Sequence, residues 1–268
     1  MSASKIDRGK QTAQVGKAQD PQPSTSRSHS ATHIKYYVIL VADSRARGFQ
    51  DFDKGKCYTY VTQYICKPGA RISDLTEQAV SAISDIPKDN TRVIVKIAAG
   101  VNNLTIKVPR RRSYELTPAH DITADEIIDE LTKLKNDIKD CRTDAIISFM
   151  TIPPINFLQQ LHYAQSTNRL PFPIYTEGER IGFQDSHQEL VQEINQKINK
   201  LNHQTQEGIR CQTASWHSEV TRRQRGQLRL IVSSLYDGVH GTDKTKAKWH
   251  RSFHQAVLKE IAQLQRQQ

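Results

Sequence analysis

The chain has 268 residues, 37% of them hydrophobic and 25% charged, which is enough to bury one sizeable core and is ordinary for a globular protein. It contains no run of about 18 apolar residues that would span a bilayer, and its start, "MSASKIDRGKQTAQ", lacks the apolar centre of a secretory signal, so an intracellular location is expected. A formal net charge of +10 makes contact with polyanions a standing option.

Residues 1–32 are rich in Ser, Thr, Gln, Lys and Pro and poor in large apolar side chains. They cannot bury enough surface to offset chain entropy and are expected to form a disordered tail ahead of one α/β domain over 33–268. Order is expected to begin at "HIKYYVILV", 33–41, an apolar, β-branched and aromatic run with the character of a buried strand. "CYTYVTQYI", 57–65, reads as a second strand closed by Pro68 and Gly69. Ile72, Leu75, Ala79 and Ile83 then share one helical face, with Ser73 or Asp74 as the cap.

"TRVIVKIAAG", 91–100, predicts a third strand running into a glycine turn. Thr123 and Glu126 form a capping-box pattern ahead of a helix that carries Ile127, Ile128, Leu131, Leu134 and Ile138 on one face. "DAIISFMTI", 144–152, is a fourth strand, stopped by Pro153 and Pro154. The long connection over 152–186 is expected to hold a lid or an extra helix around "FLQQLHYAQ". A helix follows near 187–202, then a weaker fifth strand in "GIRCQTASWH", 208–217, and a last helix from about 243 with Trp249, Phe253, Val257, Ile261 and Leu264 at helical intervals.

Strands alternating with helices predict a three-layer α/β/α, doubly wound domain on a mostly parallel five-stranded sheet. In that architecture functional groups gather beyond the carboxyl ends of the strands. The residues there are Ser44 after the first strand, Gly69 after the second, Asn102 after the third, and Asp237 and His240 after the fifth. A serine hydroxyl becomes a nucleophile when an imidazole takes its proton, and the imidazole works best when a carboxylate holds its other nitrogen. The backbone N–H groups of Ser44 and Gly69, with the Asn102 amide, supply donors for an oxyanion.

In their order and local contexts these five residues resemble the SGNH, or GDSL-like, hydrolase superfamily over about 33–266. "ADSR" resembles the Gly-Asp-Ser block, "PGA" the block with an oxyanion glycine, "GVNN" the Gly-x-Asn-Asp block and "DGVH" the final Asp-x-x-His block. The resemblance implies Ser44 as nucleophile, His240 as base, Asp237 as its orienting acid, and Gly69 and Asn102 as oxyanion-hole residues. Ala42 replaces the leading glycine, and Asn103 stands where the family usually has aspartate. The implied activity is hydrolysis of a small acyl ester without metal or organic cofactor; a carbohydrate acetyl group, a lipid ester and a small acetyl ester all remain open as substrates.

Two basic runs, 109–114 and 221–229, fit either solvated loops or a nucleic-acid surface. The alternative function is therefore a catalytically idle module that binds RNA or DNA. Some members of the superfamily bind nucleic acid and some related esterase domains are carried by retrotransposons, so the resemblance extends to a mobile-element origin. Nothing in the sequence specifies an oligomeric state.

Cys57, Cys66, Cys141 and Cys211 are scattered without a CxxC pair, as expected for reduced and mostly buried thiols. His33, His120, His162, His187, His203, His217, His250 and His254 are expected at the surface rather than around a metal. His250 and His254 lie four apart on the last helix, but the sequence identifies no third ligand for them.

Overall fold

The computed structural model describes residues 34–110, 114–169, 173–224 and 227–267. The expected tail over 1–32, His33 and parts of both basic runs (111–113 and 225–226) lie outside the described residues.

The strands and helices form in chain order as β1 (Lys35–Ala42), α1 (Phe49–Asp53), β2 (Val61–Cys66), α2 (Thr76–Ser84) and β3 (Thr91–Ala98). A hairpin of β4 (Thr105–Pro109) and β5 (Tyr114–Pro118) precedes α3 (Ala124–Cys141) and β6 (Ile146–Phe149). Then come α4 (Phe157–Ser166), α5 (Glu177–Asn202), a two-residue pair β7 (Thr205–Gln206) and β8 (Ile209–Arg210), the hairpin β9 (Thr221–Gln224) and β10 (Gln227–Leu230), and α6 (Asp243–Gln265).

The central sheet is parallel, in the order β2-β1-β3-β6, with Tyr37 opposite Val61 and Val93, and Ile94 opposite Ile146. Alternation along β1 builds its two faces. Ile39 and Val41 enter an apolar layer with Leu75, Ala79 and Ile83 near α2, Leu131 and Leu134 of α3, and Val191 and Ile194 of α5. Val38, Leu40 and Ala42 face the opposite layer, filled by Phe49 of α1 and by Trp249, Phe253 and Val257 of α6. Helices thus cover both faces, as strands buried on two sides require. Trp216 and Trp249 stack at 5.1 Å in the second layer, and each indole N–H donates to the other's carbonyl, at 3.2 and 2.9 Å.

The expected capping box of α3 forms, with Thr123 Oγ1 accepting from the Glu126 N–H and Glu126 accepting from the Thr123 N–H. For α2 the cap differs. Asp74 accepts from the Arg71 N–H and closes the preceding 3-10 turn, while Leu75 stands at the α-helical N-cap without a side-chain bond. The helix expected near 187 begins ten residues earlier, at a second capping box, Thr176 with Glu179.

The expected fifth strand is not part of the central sheet; within 208–217 only Ile209–Arg210 is strand, paired with β7 in its own two-residue ladder. The outer edge of β6 and its continuation is occupied by side-chain amides instead. Gln206 accepts from the Ile147 N–H and donates to its carbonyl. Asn202 does the same to Phe149, and Asn195 to Ile152. Each amide presents one acceptor and one donor, as a neighbouring strand residue would, so the edge is satisfied and closed to further pairing.

No described helix is long and apolar enough to cross a membrane. The cysteines are all free, but only Cys211 is buried; Cys57 is exposed and the other two are half-buried, so the expectation of mostly buried thiols is corrected. The surface expectation also fails for His187, His250 and His254, which are buried.

Candidate active site

β1 lies between β2 and β3, so chain connections leave it towards opposite sides and a crevice opens at its carboxyl end. Ser44 sits there, in a 3-10 turn whose N-cap, Asp43, accepts from the Arg45 N–H at 2.9 Å. Asp43 is buried, which pushes its carboxyl up, against the opposing charge of Arg45.

Asp237 and His240 do not follow a strand of the central sheet as expected. They come after the β9–β10 hairpin, in a loop closed by the Leu235–Gly241 bridge, with the Tyr236 N–H donating to the His240 carbonyl. Gly238 makes this loop feasible. Its φ is +81°, and a Cβ there would lie 2.3 Å from the Asn156 carbonyl oxygen, whose own N–H donates to the Gly238 carbonyl at 2.8 Å. The loop is thereby pressed on the start of α4.

The structure brings Ser44, His240 and Asp237 into one hydrogen-bonded line. Asp237 Oδ2 lies 2.7 Å from His240 Nδ1, and His240 Nε2 lies 2.9 Å from Ser44 Oγ. With the carboxylate at Nδ1 the proton resides there, so Nε2 is free to accept from the hydroxyl. Asp237 Oδ1 accepts from the Val239 and His240 N–H groups at 3.0 and 2.7 Å. Burial opposes the Asp237 charge, but the His240 hydrogen bond and the two amides outweigh it and hold the carboxyl below its usual range. The carboxylate is therefore ionised in the position where it can stabilise an imidazolium.

Gly69 and Asn102 line the same open cleft, of about 430 Å³, as these three residues. Gly69 has φ +74°, a conformation that a side chain would strain. Among the described residues no hydrogen-bond partner occupies the N–H of Ser44 or of Gly69. Asn102 Nδ2 donates one hydrogen to the Ala70 carbonyl at 2.9 Å, which fixes the amide beside the glycine turn. Asn103, the departure from the family pattern, is buried and bridges two elements. It accepts from the Ile72 N–H and donates to Glu130 of α3, at 3.0 and 2.8 Å.

Walls of the cleft also come from the β4–β5 hairpin and from α4 with the residues that follow it. They bring Lys107, Tyr163 and Arg169 to it, and Arg47, Tyr236 and Lys246 come from other segments. None of these four cations has a carboxylate partner among the described residues. Sequence reading assigned no role to these six residues, nor to Arg45, which is the last residue of the ADSR stretch. Arg45 is 1% exposed and donates from Nε to the Val239 carbonyl and from Nη1 to the Pro153 carbonyl, at 3.1 and 2.6 Å. Burial lowers its pKa to about 10, partly offset by Asp43 and Asp237.

No protein-family model matches the chain, and no curated protein does. Solved structures are similar to it. A GDSL-like lipase from Bacteroides thetaiotaomicron aligns at 16% identity and TM-score 0.51 over 84% of this chain and 88% of that one. A carbohydrate esterase of family 3 from Talaromyces cellulolyticus aligns at 12% identity and TM-score 0.52, covering 85% and 99%. A member of the lipolytic G-D-S-L family from Veillonella parvula aligns at 10% identity and TM-score 0.51, covering 82% and 97%. At such identities the likeness is one of architecture. The chain shares the fold of these GDSL-like lipases and esterases.

Proposed function

We propose that the protein is a serine esterase that cleaves small acyl esters through an acyl-enzyme. The observation that carries this reading is the unbroken hydrogen-bonded line from the Ser44 hydroxyl through His240 to Asp237, in an open cleft at the end of β1. Ser44 Oγ attacks the ester carbonyl carbon while its proton passes to His240 Nε2. The tetrahedral intermediate collapses by breaking the bond to the alkoxy oxygen, which takes the proton from Nε2 and leaves as the alcohol. Water then attacks the acyl-Ser44 ester, His240 again accepts the proton, and the acid departs as Ser44 is regenerated. Asp237 holds the Nδ1 tautomer and stabilises the imidazolium, and the N–H groups of Ser44 and Gly69 with the second Asn102 amide hydrogen serve the oxyanion.

Arg47, Lys107, Arg169 and Lys246 around one cleft set up a positive potential that attracts anions. The favoured substrates are accordingly esters that carry a carboxylate or phosphate on the acyl or alcohol part. The reading is tested by Ser44→Ala with a chromogenic acetyl ester. Turnover should fall by about a thousandfold or more with circular dichroism unchanged; retained turnover contradicts it.

Binding to RNA or DNA is a second reading, supported by the β9–β10 hairpin, where Arg222 stands directly across from Arg229 and Arg223 lies beside them. Clustered cations of this kind can displace counterions from a phosphate backbone. In the other basic run, Arg110 is paired with the buried Glu115 at 2.6 Å, and 111–113 lie outside the described residues. Affinity for a labelled oligonucleotide should drop steeply with salt; insensitivity to salt removes this reading.

A further inference from the structure

Away from the cleft, His250 and His254 of α6 meet Asp53, the last residue of α1. Asp53 Oδ1 lies 2.8 Å from His250 Nε2 and 3.2 Å from His254 Nε2, and the two Nε2 atoms are 3.0 Å apart. Three ligand atoms that share one ion at about 2.0–2.2 Å stand at such separations from one another. Two neutral imidazoles that turn the same nitrogen towards each other and towards one carboxylate oxygen cannot both carry a proton there without repulsion. A cation removes that conflict, because it is served by both lone pairs and by the carboxylate charge.

The surroundings fix each ligand. The phenol of Tyr60 contacts His254 Nδ1, and the ring of Tyr58 stacks on His254 at 4.4 Å and 8°. Phe49 packs edge-on against His250 at 5.4 Å. The Tyr64 hydroxyl donates to Asp53 Oδ2, which leaves Oδ1 aimed at the histidine pair. His254 and Asp53 are thus held by hydrogen bonds on their other sides and His250 by ring packing, and orientation of this kind supports metal centres. The imidazoles are almost fully buried, whereas the Asp53 side chain is 20% exposed and marks the side from which an ion and its remaining water ligands would enter.

The geometry points to a divalent transition-metal site formed by Asp53, His250 and His254, of a donor type that suits zinc and disfavours calcium or magnesium. The site is structural. It joins α1, which follows the Ser44 turn, to α6, which follows the His240 loop, and so ties together the elements that carry the two ends of the Ser44–His240 pair.

Untagged full-length protein, stripped with a chelator and titrated with zinc against a chromogenic chelator, should bind one zinc ion per chain with a rise in Tm of several degrees, because a ligand of the native state alone stabilises it. Asp53→Asn, His250→Ala and the more conservative His254→Gln should lose both the zinc and the Tm response. His203→Ala, which changes a histidine outside the cluster, should keep both. A folded wild type that takes up no zinc overturns the proposal, and so does full zinc binding by the folded Asp53 or His250 variants. Should those variants fail to fold, the wild-type titration decides alone, since stoichiometric uptake and the Tm response are both read there. Neither readout uses esterase activity, so a failure here is distinct from a failure of the proposed catalysis.

Discussion

Arg45, the residue after Ser44, donates from Nε to the carbonyl oxygen of Val239, the residue before His240, at 3.1 Å. One buried guanidinium therefore spans the two segments that must meet for the hydroxyl to reach the imidazole, and its Nη1 ties both to Pro153, beyond the end of β6. Arg45→Lys keeps the charge but loses the fork that reaches two carbonyls. It should lower kcat by about 10- to 100-fold with little change in KM, as expected of a positioning residue whose loss shifts the reacting groups by a fraction of an ångström. Steady-state kinetics on a chromogenic ester read this split, and a change confined to KM would contradict the assignment.

Asn102 has one amide hydrogen engaged by Ala70, which leaves the other for an oxyanion. Asn102→Ala should reduce kcat by about 100- to 1000-fold, the usual effect of removing one such donor. Comparing kcat and Tm of the variant separates this from a structural effect of losing the Ala70 bond, which would appear mainly in Tm.

The strands β1, β2, β3 and β6 and the helices that cover them were legible because their signals are local: β-branched runs, helical spacing and the Thr123–Glu126 box. The Thr176–Glu179 box was equally present as "TEGE" and marks the true start of α5. The missing fifth strand was not legible. Its place at the edge of β6 is taken by Gln206, Asn202 and Asn195, and no local pattern reveals that side-chain amides from outside the sheet will act as a strand. The five cleft residues were readable from their positions near chain turns, although Asp237 and His240 reach the crevice from a closed loop rather than a sheet strand. Asp53 was invisible as a partner of His250 because nearly the whole domain separates them in sequence.

Lys96 of β3 and Glu260 of α6 form a fully buried ion pair at 2.6 Å, and Lys96 also donates to Ser148 and to the Gln212 carbonyl. Glu260→Leu leaves a buried cation without its counter-charge and should cost about 3–5 kcal/mol in chemical denaturation. Lys96→Met combined with Glu260→Leu should cost less than the sum of the two single changes, because no uncompensated charge remains. Strict additivity would show that the pair is not coupled.

His187 is buried and its Nε2 accepts from the Ile155 N–H at 3.2 Å, so it must be neutral in the fold. Burial, with the nearby charge of Arg45, lowers its pKa from 6.5 to about 3. Between those values the unfolded chain binds a proton that the folded chain does not, so this contribution is complete above about pH 6.5 and is lost as pH falls towards 3. The slope is about 1.4 kcal/mol per pH unit for this one group. Denaturation midpoints measured from pH 7 to 4 should fall, and His187→Gln, which keeps an acceptor for Ile155, should flatten the curve.

The most direct measurement is labelling by a fluorophosphonate probe followed by peptide mass spectrometry. An activated hydroxyl should form one adduct, on Ser44, and His240→Ala should suppress it by removing the base. Absence of an adduct at Ser44 in the folded protein, or equal labelling in the His240→Ala variant, would contradict a nucleophile activated by this imidazole.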